Sequence, residues 1–177
     1  MNTANFEKVI AVLQKMQTDS IIEKYAIGGA FAATLYDEPI STIDLDIFFF
    51  LTEKSSSPIL SLTAVYDFAK SNGFSFDHEF INIYGWLVQF VEASHNDLWS
   101  EAIENAIVMK AGDFEVPVID REHLIAMWLF AGRAKDFQKI ALFYEAGILD
   151  EPKLFDILNR HDLMTKWSKE KGRFIYE

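Results

Sequence analysis

The segment Asp44-Leu45-Asp46-Ile47-Phe48-Phe49-Phe50-Leu51 constrains the fold of this chain more than any other. From Ile47 to Leu51 every position is apolar, so no polar/apolar alternation marks a solvated face. Such a run reads as a strand covered on both sides, as in a sheet flanked by helices. The two aspartates stand at its mouth. Being two residues apart, they leave the strand on the same face, about 7 Å apart along the backbone. At that separation and an effective dielectric near 20, two like charges repel by roughly 2 kcal/mol. A hard divalent cation shared with phosphate oxygens would reverse that cost. The pair reads equally as two acids ending a strand in solvent.

The remaining segments supply the layers. Phe6, Val9, Ile10 and Leu13 follow a helical period within Phe6–Met16, and Tyr25–Ile27 is a short strand running through Gly28-Gly29 into a helix over Ala30–Tyr36. Pro39 then breaks the pattern. Lys54–Pro58 is a loop opening a helix that continues to about Lys70 and is closed by Asn72-Gly73. FSFDHEFINI and WLVQFVEA read as two strands joined near Tyr84-Gly85, and a second hairpin turns at Ala111-Gly112-Asp113, with a helix over Leu98–Asn105 between them. From Arg121 the chain reads as helical: one long helix to about Ala146, a stop at Gly147, and shorter helices from Pro152 and Asp162. The expectation is an α/β (α+β) core over residues 1–119, a mixed sheet flanked by helices. A C-terminal helical subdomain over 120–177 packs on it through Leu124, Met127, Trp128, Phe137, Ile140 and Tyr144.

Composition narrows the function. With 177 residues, 50% hydrophobic, the chain can close one sizeable core. Cysteine is absent, which excludes a disulfide framework and thiolate metal sites and points to a reducing, cytoplasmic setting. Charged residues interrupt the amphipathic N-terminal helix, so neither a signal peptide nor a membrane span is expected. A net charge of -11 disfavours non-specific nucleic-acid binding and suits a basic protein partner. It leaves room for a nucleotide whose charge is masked by a cation on the protein's own carboxylates.

Gly28-Gly29, between a strand and a helix, either lets backbone N–H groups approach a phosphate or makes a tight turn for close packing. It lacks the lysine and hydroxyl residue of a P-loop. Taken together, IGGAFAATLYDEPISTIDLDIFF, residues 27 to 49, resembles the signature of the DNA polymerase β-like nucleotidyltransferase superfamily, and within it the small stand-alone bacterial members of the AbiE-type toxin and minimal nucleotidyltransferase kind. The resemblance implies that Gly28 and Gly29 contact the triphosphate of an NTP and that Asp44 and Asp46 hold Mg²⁺, with Mn²⁺ as an alternative. An NMP group would then pass to a hydroxyl acceptor, whether a protein, an RNA end or a small molecule. Thr42 matches a hydroxyl position of the family and reads equally as a turn hydrogen bond.

The chain departs from the family at two points. The third carboxylate is replaced by Gln89, whose amide carbonyl can ligate a metal but cannot act as a base, and no basic residue precedes the aspartate pair. Asp77 and Glu79 are other candidate acids, whereas Glu92 faces away from Gln89. For the missing cation, Arg133 and Lys135 resemble an Arg-x-Lys-Asp stretch of related enzymes; they read equally as ion pairs on an exposed helix face. His78 alternates away from Asp77 and Glu79 on a strand, and His95, His123 and His161 lack ligand spacing. Two functions follow: a nucleotidyltransferase, or a catalytically degenerate nucleotide-binding or protein-interaction module such as a toxin–antitoxin component.

Overall fold

A computed structural model describes residues 3–36, 42, 44–52 and 58–174. In chain order the elements are α1 (Thr3–Thr18), β1 (Ile22–Ile27), α2 (Gly29–Leu35), β2 (Asp44–Leu51), α3 (Pro58–Ser71), β3 (Ser75–Asp77), β4 (Phe80–Ile83), β5 (Trp86–Glu92), α4 (Asp97–Glu104), β6 (Ile107–Ala111), β7 (Phe114–Val118), α5 (Arg121–Ala131), α6 (Ala134–Glu145), α7 (Glu151–Arg160) and α8 (Met164–Glu170), ending in a 3₁₀ turn, Lys171–Arg173. The chain is therefore of the mixed α/β class. Its seven strands form one sheet in the order β3-β4-β5-β2-β1-β7-β6. The β2–β5 and β1–β7 pairs are parallel and the others antiparallel.

The aspartate-bearing strand, β2, lies inside the sheet between β5 and β1, as its apolar run requires. Leu45, Ile47 and Phe49 are fully buried on one face. The other face, with Asp44, Asp46 and Phe48, is only half-buried, so the expectation of equal cover on both sides is corrected there. Helices α1 and α3 cover the first face: Phe6 packs edge-on to Trp86, and Val65, Phe68 and Ala69 are buried. On the second face Trp99 of α4 meets Phe48, and α5 packs against α4, α6 and α7. Buried residues from α1 through Phe174 belong to one contiguous apolar cluster.

Two expected elements divide. FSFDHEFINI is a hairpin in its own right, β3–β4, because His78 takes a left-handed backbone (φ 53) that neither glycine nor proline announces. The expected long helix ends at Gly132, which caps α5 at φ 67, and Arg133 in an extended conformation starts α6. A left-handed residue cannot continue the i→i−4 ladder, so the apolar period carries on across a corner. Pro39, Ile40 and Ser41, where the basic residue of the resembled family is missing, lie outside the described residues. Among the described residues no helix is long and apolar enough to cross a membrane.

Candidate functional site

A cleft of about 830 Å³ opens between the half-buried sheet face and the α5–α6 corner. Gly29, Thr42, Asp44, Asp46 and Gln89 line its sheet wall, and Arg133, Lys135 and Lys139 its helical wall. Seven of these eight were singled out in the sequence, and residues far apart along the chain thus meet in one place. Gly28 is not among the lining residues; a Cβ there would come within 2.5 Å of the Phe48 ring, so this glycine serves close packing.

Gly29 has a use that was not foreseen. It takes φ 63, and a Cβ on it would lie 1.6 Å from Asp46 Oδ2. The missing side chain makes room for the carboxylate of Asp46. The Gly28 N–H also donates to the Asp46 carbonyl (2.9 Å), tying the turn to β2. Thr42 acts on Asp44: its hydroxyl donates to the Asp44 carboxylate and accepts the Asp44 N–H (3.3 Å), which is turn-type bonding.

Register completes the sheet wall. Asp46 is opposite Gln89 on β5, and Gln89 is opposite Phe80 on β4, so the three side chains form a row across three strands. Glu79, in the β3–β4 turn beside Phe80, also lines the cleft, and among the described residues it makes no hydrogen bond or ion pair. Asp77 and His78 are exposed outside the cleft, 3.8 Å from one another. Glu92 is opposite Phe49 on the far face, where its Oε1 accepts the Ser94 N–H (3.0 Å).

Two of the cations on the helical wall are held by a fully buried acid. Asp136 accepts from Arg133 Nε at 2.7 Å and from Lys139 Nζ at 3.1 Å. Burial pushes its carboxyl up, but the bonds from Arg133 and Lys139 outweigh that and hold it below the usual range. Lys139 also lies 5.2 Å from the centroid of the Trp128 ring. Arg133 and Lys135 do not lie on the one continuous helix expected; they stand at the start of α6 and line the cleft together with the aspartates. Lys139 joins them on this wall, and its i, i+3 spacing from Asp136 is the local sequence signal for it. Burial, then the charge of Asp44, pushes the Asp46 carboxyl up to about 6, and Lys139, Arg133 and Lys135 partly offset this.

A second charged cluster lies apart from the cleft. His123 is bonded to Asp120 through Nδ1 (2.9 Å) and to Glu101 through Nε2 (3.2 Å), and Glu101 also binds His161 (2.7 Å) and Arg160. Lys153 pairs with Asp120 and Glu122. Without ligand spacing, His123 and His161 serve structure instead: they lock α4, α5 and α7 together. The Asp-x-x-His spacing at the start of α5 was the only local sign of this.

No family model matches this chain, and no curated protein matches it.

Proposed function

We propose that the chain is a Mg²⁺-dependent nucleotidyltransferase that moves an NMP group from an NTP to a hydroxyl acceptor. The observation that carries this reading is the cleft in which Asp44 and Asp46 share space with Arg133, Lys135 and Lys139 in a protein of net charge -11. Cations gathered opposite a carboxylate pair suit a polyanion bridged to the acids by a divalent ion. Among the described residues no three His, Cys, Asp or Glu side chains gather as a metal group. Two carboxylates plus substrate phosphates are nevertheless the donor set Mg²⁺ commonly takes, and Mn²⁺ accepts the same oxygens. Bound there, the ion would neutralise the phosphates and polarise the α-phosphoryl group.

The chain's own residues supply the rest. Arg133, Lys135 and Lys139 bind the outer phosphates, with Asp136 fixing two of them in place. The Gln89 amide offers a neutral hydrogen bond beside Asp46. Glu79 supplies a carboxylate able to take the acceptor's proton, a role the neutral Gln89 cannot fill. The acceptor oxygen bonds to the α-phosphorus, the bond to the bridging oxygen breaks, and pyrophosphate leaves with that electron pair toward the cations. Incubation with α-labelled NTPs, a divalent metal and candidate protein, RNA and small-molecule acceptors tests this. Label transfer should be abolished by Asp44→Ala or Asp46→Ala and lowered about 100-fold or more by Glu79→Gln; no transfer by the wild type under any divalent metal counts against the reading.

One observation favours a second reading. Gln89, directly opposite Asp46, puts a neutral amide where the resembled enzymes place an acid, which suits a module that binds NTP without turning it over, such as a toxin–antitoxin component acting through a protein partner. NTP binding by calorimetry with no label transfer would select it.

A further inference from the structure

Phe130 is 48% exposed, yet it stands in the last turn of a helix whose residues from Glu122 to Leu129 are all buried. The other large apolar side chains left exposed among the described residues, Phe76, Tyr84, Ile107 and Val108, are not in the cleft wall; Phe130 is. An aromatic ring left in water at the rim of a cleft is a site for a planar apolar ligand group.

The position of Phe130 is fixed. Its carbonyl accepts a hydrogen bond from Lys166 Nζ (2.9 Å) on α8, and two residues later Gly132 turns the chain at φ 67. The ring therefore stands on the last turn of α5, directly before the corner that carries Arg133 and Lys135. Its apolar neighbours in the cleft wall are Met127 and Ala131. A ligand that lays phosphates on the cations thus has an aromatic surface within reach for the remainder of its structure.

Resting on the nucleotidyltransferase reading, we propose that Phe130 is the stacking platform for the nucleobase, so that the cleft selects nucleoside triphosphates over inorganic polyphosphate. Base–aromatic stacking is worth about 1–3 kcal/mol, roughly 5- to 150-fold in affinity. The ring recognises a π-face and carries no hydrogen-bonding group of its own, so the platform tolerates every base and favours purines by their larger area.

Titration calorimetry with Mg²⁺ and either ATP, CTP or tripolyphosphate tests the assignment on wild type, Phe130→Ala and Phe130→Trp. The side chain is half in water, so Phe130→Ala leaves the core intact, and a thermal melt checks this. The expected result is that wild type binds ATP at least fivefold more tightly than tripolyphosphate. Phe130→Ala should abolish that margin without changing tripolyphosphate affinity, and Phe130→Trp should keep or widen it. A margin that survives Phe130→Ala overturns the stacking role while the metal-phosphate cleft stands. Equal affinity of wild type for ATP and tripolyphosphate also overturns it. Failure of wild type to bind any of the three overturns both this inference and the reading beneath it.

Discussion

Burial and the charge of Asp44 push the Asp46 carboxyl up to about 6 from an ordinary 3.8. The folded chain therefore holds this proton more tightly than the unfolded chain does. Between pH 4 and 6 the native state binds more protons, so stability falls as pH rises through that window, by up to ~3 kcal/mol. Above pH 6 the cost is fully present. Asp46→Asn keeps the shape and removes the charge, so urea unfolding should find the variant more stable than wild type at pH 7.5 and level with it near pH 4. The same variant should lose Mg²⁺-dependent nucleotide binding, since the group that costs stability is the proposed ligand. Gly29→Ala attacks the carboxylate from the other side. A Cβ at φ 63 costs about 1–2 kcal/mol in backbone strain, and it would also drive Asp46 from its place. A lower melting temperature together with lost Mg²⁺·NTP binding is the expected outcome, read by thermal melt and calorimetry. Asp44 and Asp46 were legible in the sequence because strand periodicity puts them on one face. The reason for Gly29 was not, since it depends on a carboxylate 17 positions further along the chain.

At the scale of elements, the C-terminal helices are joined to the sheet layer by charged groups as well as apolar ones. Burial raises the Glu101 carboxyl, but bonds from Arg160, His161 and His123 outweigh it and hold it at about 2. A depressed carboxylate contributes stability that is fully present above its unfolded value, near 4.5, and is lost as pH falls toward 2. Glu101→Gln should therefore destabilise the protein at pH 7 by about 1–3 kcal/mol, the usual worth of hydrogen bonds to a charged group. It should also flatten the acid limb of the unfolding profile below pH 4.5. Strands β2 and β5 and the turns at Tyr84-Gly85 and Gly112 were legible because alternation and glycine mark them. The break at Gly132 was not, because the apolar period continues through it and a lone glycine is tolerated within a helix. The split of β3 from β4 hides for a related reason: a left-handed His78 has no local signature.

At the scale of the whole molecule, an acidic chain gathers three of its cations at one cleft. Locally they were visible only as residues near an Asp-containing stretch. That they line one cleft with Asp44 and Asp46 follows from how α5 and α6 turn over the sheet, which is a tertiary fact. Glu79 and Phe130 enter the cleft for the same reason, one from a turn two strands away from Asp46 and the other from the end of a buried helix. The central claim is that this cleft binds a metal-bridged nucleotide through its two aspartates. Calorimetric titration of NTP into the protein with Mg²⁺ or EDTA, comparing wild type with Asp44→Asn and Asp46→Asn, tests it most directly. The account predicts binding that requires Mg²⁺ and weakens at least tenfold in either variant. NTP binding that ignores both the metal and the aspartates, or no binding at all, would contradict it.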